Sequence, residues 1–105
     1  MTERAVTASQ AVIVDEDVVF SLIELSWTCG TEPAELIELV HEGALTPTGH
    51  SPDDWRFDGT CLSRARTAVR LSRDLHLDAF SAAIVLDMLD QIADLQSQLR
   101  RLSVR

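Results

Sequence analysis

Residues 21–43 read SLIELSWTCGTEPAELIELVHEG, which predicts two short helices joined by a tight turn. Ser21 and Glu24 have the spacing of a capping box, in which each side chain accepts a hydrogen bond from a backbone amide at the start of a helix. Gly30 suits the left-handed residue that ends this first helix. Thr31 is the candidate N-cap of the second helix, because the proline two residues later fits only a first helical turn. Two short helices joined in this way form a helix-turn-helix.

Less regular segments lie on either side of this pair of helices. Residues 1–17 are polar at first and then mixed, and they are expected to form a flexible or extended lead-in. Residues 18–20 favour a short extended segment. Residues 44–54 contain two prolines and a glycine, which predict a loop. Trp55-Arg56-Phe57 has β character, and its two aromatic side chains would lie on the same side of an extended segment.

Two longer helices are predicted after the aromatic segment. Asp58 can cap one that runs to about Leu75, and Asp78 can cap another that runs to about Leu102. Hydrophobic residues make up 46% of the 105-residue chain and aromatic residues only 5%, so the core must consist mainly of aliphatic side chains and alanine. The expected fold is therefore all-α, with about four helices in a single domain.

The composition gives no sign of a membrane segment or of an enzyme. No run reaches the roughly 18 to 20 apolar residues that a membrane helix needs, and the N-terminus has no signal-peptide pattern. The expectation is a soluble cytoplasmic protein. Cys29 and Cys61 match no zinc pattern and are expected to be buried free thiols. Because no catalytic, phosphate-binding or metal-binding motif is present, no catalytic residue, cofactor, metal or small-molecule substrate is predicted.

Charge is distributed unevenly along the chain, whose formal net charge is −8. Residues 1–60 hold twelve acidic residues and two arginines, a balance of −10. Residues 61–105 hold five aspartates and seven arginines, a balance of +2, and lysine is absent from the sequence. An acidic first half repels phosphate backbones and attracts basic surfaces.

The second predicted helix places carboxylates and apolar residues on opposite sides, at about 100° per residue. The apolar side carries Leu36, Ile37 and Val40. The opposite side, with a leucine at its edge that could contact a partner, is the predicted partner-binding surface and contains Glu32, Glu35, Glu38, Leu39 and Glu42. A solvated helix face is the alternative interpretation, since most such stripes have no binding role.

The last predicted helix carries an apolar row, here called the C-terminal seam. Its members, at spacings of 3, 4, 3, 4 and 3 residues, are Val85, Met88, Ile92, Leu95, Leu99 and Leu102. This is the a/d pattern of a coiled coil over nearly three heptads, so the seam predicts a homodimer. The alternative is that the helix folds back on its own domain. The flanking positions carry little charge, which leaves the strand orientation open.

The ordered set of motifs resembles the MerR-type winged helix-turn-helix family. The framework is carried by Phe20–Leu25, Cys29–Thr31, Leu36, Val40, Glu42–Leu45 and Pro47, with Trp55–Phe57 at the position of the wing. A closer resemblance is to the chaperone modulators called CbpM, through Trp55–Asp58, Ala68–Leu71, Asp74–Asp78, Ala83, Leu86 and Met88–Leu95. The resemblance covers about residues 18–102. The expected organisation is a MerR-like helix-turn-helix domain over residues 18–77, with a small β wing, and a long C-terminal helix that carries the seam over residues 78–105.

The CbpM resemblance also implies a partner. Members bind a DnaJ-like co-chaperone, CbpA, mainly at its J domain, and restrain its co-chaperone and DNA-binding activities. A MerR-like transcriptional regulator is the alternative, but it would need basic residues in the second helix or the wing, where only Arg56 is found. A metal sensor would need cysteines grouped at the ends of the long helix, and Cys29 and Cys61 both precede it. We therefore expect no direct DNA binding.

Overall fold

The computed structural model describes residues 18–103, and this part of the chain forms four α-helices and one short 3-10 turn. The predicted lead-in over residues 1–17 lies outside the described residues. The helices are α1 (Leu22–Cys29), α2 (Pro33–His41), α3 (Gly59–Leu75) and α4 (Ala79–Ser103), and the 3-10 turn is Pro52–Asp54. The predicted all-α fold class is confirmed.

Local hydrogen bonds define the start and the end of α1 as predicted. The Glu24 amide donates to Ser21 Oγ at 3.1 Å, and the Ser21 amide donates to Glu24 Oε1 at 2.9 Å, which completes the capping box. Gly30 ends the helix with φ 68° and ψ 42°, a left-handed conformation that costs glycine little. The turn into α2 is therefore determined by residues on either side of it.

The start of α2 differs by one residue from the prediction. Its N-cap is Glu32, without a side-chain cap, and not Thr31. The reason is the proline at position 33, which occupies the first helical position, so that the residue directly before it must be the extended N-cap. The Thr31 hydroxyl instead donates to the Glu35 carboxylate.

The predicted β wing is not confirmed, because among residues 18–103 only two isolated antiparallel bridges occur. Phe20 pairs with Phe57 through two N–H···O bonds of 2.8 Å, and Thr48 pairs with Arg56 through two of 3.0 Å. Neither pairing extends into a strand. Pro47 has no amide with which to continue the ladder beside Thr48, and the 3-10 turn occupies much of the segment between the two partners.

The core lies where the first three helices meet the first part of α4. Its most deeply buried large side chains are Leu25, Leu36, Leu45 and Phe57, each at most 1% exposed. Phe57 packs edge-on against Trp55, with ring centroids 6.1 Å apart, as expected for two aromatics on one side of an extended segment. The exposed Arg56 between them points away from the core.

Small side chains allow α3 and α4 to pack closely together. The buried residues on these two helices include Ala65, Ala68, Ala82 and Ala83. Arg64 adds polar contacts from α3: its Nε donates to the Ala44 carbonyl at 2.8 Å, and its guanidinium pairs with Asp87 and Asp90 of α4. These contacts hold the first half of α4 against the domain, and the second half extends beyond it.

Candidate functional site

The four glutamates of the predicted surface lie on one exposed side of the helix-turn-helix, and we call them the acidic face (Glu32, Glu35, Glu38 and Glu42). All four residues are exposed. Helix α2 contains no lysine or arginine, and its opposite side is buried at Leu36. The glutamates therefore lie at the surface, and their contact with a partner remains a prediction.

The apolar side of α2 is rotated relative to the prediction. Leu39 was expected at the edge of the acidic surface, but it is only 5% exposed and belongs to the core. The reason is that Leu39 lies one helical turn after Leu36 and so shares its face. Ile37 and Val40, which were expected in the core, are half-buried and pack against its edge.

An aspartate from another helix adjoins the acidic face. Asp78 lines the same cleft as Glu35 and Glu38 and is exposed at the start of α4. Its carboxylate accepts a 2.8 Å hydrogen bond from the Ser81 amide, and this bond lowers the pKa of Asp78 below its usual value. The sequence indicated its capping role but not its position beside α2, because it lies 40 positions after Glu38 in the chain.

Two exposed aromatic residues, which the sequence reasoning did not single out, lie beside the acidic face. Trp27 is 76% exposed and lines a groove with Glu32 and Glu35. Phe80 is 60% exposed and lines a second groove with Glu38 and Glu42. Aromatic residues are enriched in protein–protein interfaces. Helical periodicity could have indicated Trp27, because the buried side of α1 is defined by Leu22, Leu25 and Ser26.

A narrow cleft of about 140 Å³ opens between α2, α3 and the start of α4. Its buried lining residues are apolar, and its exposed ones are acidic. The buried lining residues are Leu39, Ala68, Val69 and Ala82. The half-buried ones are Ser72, Leu77 and Ala79, and the exposed ones are Glu35, Glu38 and Asp78. The cleft thus combines an apolar floor with a negatively charged rim.

The C-terminal seam lies mostly in the exposed half of α4. Val85 is half-buried, whereas the five following members are 49% to 70% exposed. No described residue of α4 beyond Leu86 is buried. The alternative in which this helix folds back on its own domain is therefore not adopted, and pairing with a second chain remains a prediction.

The thiols have no feature of a reactive or metal-binding site. Cys61 is buried and Cys29 is half-buried, and burial raises the pKa of both. Both therefore stay protonated at neutral pH. Within residues 18–103 no group of three or more potential metal ligands occurs. In the same part of the chain, no helix is both long and apolar enough to cross a membrane.

Comparison with known proteins agrees with the fold. A model of the MerR HTH family of regulatory proteins matches residues 20–104. This match and the order of the helices define a helix-turn-helix protein of the MerR class.

The relatives define a narrower group. The chaperone modulatory protein CbpM of Coxiella burnetii is 36% identical over 93 residues, which cover 89% of this chain and 88% of that protein. The protein of the same name from Pseudomonas putida is 33% identical over 70 residues, 67% of this chain and 69% of that protein. The chain therefore belongs to the CbpM family of chaperone modulatory proteins. Both family descriptions denote regulators rather than enzymes.

Proposed function

We propose that this protein is a chaperone modulator that binds the J domain of a DnaJ-like, CbpA-like co-chaperone through the acidic face. Binding inhibits the co-chaperone and DNA-binding activities of that partner in the cytoplasm. The observation that carries the proposal is the charge of α2, which has four exposed glutamates in or beside it and no lysine or arginine. The family relationship supports a chaperone partner, since the relatives are named chaperone modulatory proteins.

The same observation argues against the alternative function as a MerR-like transcriptional regulator. In DNA-binding helix-turn-helix proteins the second helix enters the major groove and contacts phosphates and base edges. Duplex affinity depends on neutralising phosphates with lysine and arginine. A helix that presents glutamates and no lysine or arginine is repelled by DNA, whereas a basic helix of a J domain has the complementary charge.

The acidic face has further properties that suit a protein partner. A row of like charges accelerates encounter with an oppositely charged surface and orients the two molecules. Asp78 adds a fifth carboxylate close to the row, and the exposed Trp27 and Phe80 offer apolar contact beside it. Charge would thus determine the association rate and the orientation, and aromatic contact would lengthen the lifetime of the complex.

Inhibition follows from occupancy of a shared surface. A basic J-domain surface that pairs with the acidic face is no longer free to contact another negatively charged molecule. In the proposed complex the modulator and the polyanion exclude each other by occupying the same cationic residues. The protein therefore acts by binding alone, without a catalytic step.

We further propose that the functional unit is a homodimer paired through the C-terminal seam. Five of its members are large apolar side chains that are at least 49% exposed in the single chain. A long exposed apolar row is unfavourable in water and is covered when two such helices pair. Each dimer would then present two acidic faces.

The decisive experiment reverses two charges of the acidic face. Glu35→Lys with Glu38→Lys is expected to weaken J-domain binding more than about tenfold, because each exposed ion pair is worth about 0.2 to 1 kcal/mol and reversal replaces attraction with repulsion. The effect should appear chiefly in the association rate, with reduced salt sensitivity. Calorimetric titration and stopped-flow mixing with the J domain measure both quantities.

The matched control is Asp53→Lys with Asp74→Lys, which changes the net charge by the same amount. Both aspartates are exposed, and neither lines the cleft or the grooves beside the acidic face. The control should bind almost as well as the wild type. Equal affinity of the wild type and the Glu35/Glu38 variant, with both well folded by circular dichroism, would mean that the partner binds elsewhere.

A further inference from the structure

We infer that the cleft between α2, α3 and α4 receives one lysine or arginine side chain from the basic helix of the J domain. This inference rests on the proposed function and names the side chain that the site recognises. Glutamates along a helix are by themselves only a solvated face. The cleft adds a cavity that three helices line and whose buried lining residues are apolar.

The floor of the cleft fits the aliphatic part of a long basic side chain. Leu39, Ala68 and Ala82 line it and are 5%, 2% and 1% exposed. Lysine and arginine bury their methylene stems against apolar surfaces and keep their charged ends near water. The floor is made of helical residues packed in the core, so it exists before the partner arrives.

The rim fits the charged end of that side chain. Glu35 and Glu38 line the cleft from α2, and Asp78 lines it from the residue directly before α4. An apolar side chain would desolvate these carboxylates without compensation, and an acidic one would be repelled by them. A lysine or arginine side chain matches both parts of the cleft, because its methylene stem can contact the apolar residues while its charged end lies near the carboxylates.

The size of the cleft indicates a single side chain rather than a small-molecule ligand. Its volume is about 140 Å³, whereas small-molecule and cofactor sites usually enclose about 300 to 1,000 Å³. A single side chain projecting from a partner helix needs much less space. The cleft therefore acts as an anchoring point within the larger acidic face.

Filling the cleft tests this inference without changing any charge. Ser72→Met fills it from α3 and Ala79→Met fills it from α4, and both residues line the cleft and are half-buried. The control Ser63→Met places the same side chain at an exposed position of α3 away from the cleft. Thermal melting monitored by circular dichroism verifies that each variant folds.

Surface plasmon resonance with immobilised J domain gives the affinity and both rate constants. We expect each filled variant to bind at least tenfold more weakly, with a faster dissociation rate and an almost unchanged association rate, because the acidic face still steers the encounter. The Ser63→Met control should bind like the wild type.

The outcomes separate this inference from the proposed function. Wild-type affinity in both filled variants overturns the inference, and the proposed function stands if charge reversal at Glu35 and Glu38 still weakens binding. A failure of the wild-type protein to bind the J domain overturns both. The inference is also overturned if the Ser63→Met control binds as weakly as the two filled variants. The loss of affinity would then not depend on the cleft.

Discussion

Replacement of Leu95 by aspartate places a carboxylate in the middle of the C-terminal seam. Leu95 is 57% exposed in the single chain and contributes nothing to the core. The substitution should therefore leave the folding of the domain almost unchanged. In a dimer paired through the seam, however, the same position lies in a desolvated layer between two helices. Any effect on assembly should consequently appear without an effect on the fold.

The size of the effect follows from the exposure of the seam. Burying a fully exposed large apolar side chain contributes about 1.5 to 3 kcal/mol. The five outer seam residues are 49% to 70% exposed, so each contributes roughly 1 to 2 kcal/mol on pairing, and those of both chains together roughly 10 to 20 kcal/mol. Association costs about 4 to 15 kcal/mol in lost freedom of motion. For the protein to be a dimer at tens of micromolar, the gain from burial must exceed this cost by a margin of about 6 to 7 kcal/mol, which these ranges allow.

Leu95→Asp removes most of that margin. It eliminates the burial of two leucines, roughly 2 to 4 kcal/mol, and it desolvates two like charges at a cost of several kcal/mol more. Sedimentation velocity at tens of micromolar should show a dimer for the wild type and a monomer for Leu95→Asp. Circular dichroism should show similar melting of the domain in both proteins.

The control is Ala93→Asp, which introduces the same charge at an exposed position outside the seam. It should remain dimeric, since its side chain would not enter the paired layer. A wild-type protein that sediments as a monomer at these concentrations would refute the reasoning, and so would a Leu95→Asp variant that remains a dimer.

Two further outcomes are expected. The protein should show no saturable gel shift with any operator duplex at physiological salt, because α2 carries no cation to neutralise phosphates; tight binding to one sequence would favour the transcriptional regulator instead. Arg64→Met keeps the aliphatic stem but leaves the Ala44 carbonyl without its 2.8 Å charged hydrogen bond, so urea denaturation should show a loss of about 1.5 to 3 kcal/mol of stability; an unchanged midpoint would contradict this role of Arg64.

Local features of the fold could be predicted because a few adjacent residues determine them. The capping box of Ser21 and Glu24 and the left-handed Gly30 each depend on hydrogen bonds within one helical turn. The caps at Asp58 and Asp78 are similar, since each carboxylate accepts from the amide three residues later. The exposed glutamates of α2 followed from helical periodicity alone.

Errors arose where competing local signals had to be ranked. Thr31 was the better N-cap by residue type, but the proline at position 33 required that Glu32 take that position. Helical periodicity alone placed Leu39 at the edge of the acidic stripe. In the folded protein the buried side of α2 is centred on Leu36 and Leu39, because these two side chains pack into the core between the other helices. Ile37 and Val40 are only partly buried and lie at the edge of the core.

The sequence by itself determined where three of the four helices begin, which side of α2 is acidic, and that α4 carries an apolar row. Only the tertiary structure brought Asp78 beside Glu35 and Glu38, formed the cleft over Leu39, and left the C-terminal seam uncovered. The physical reason is the range of the interactions. Caps and periodicity act over three or four residues, whereas the position of α4 relative to α2 depends on how the side chains of all four helices fill one core.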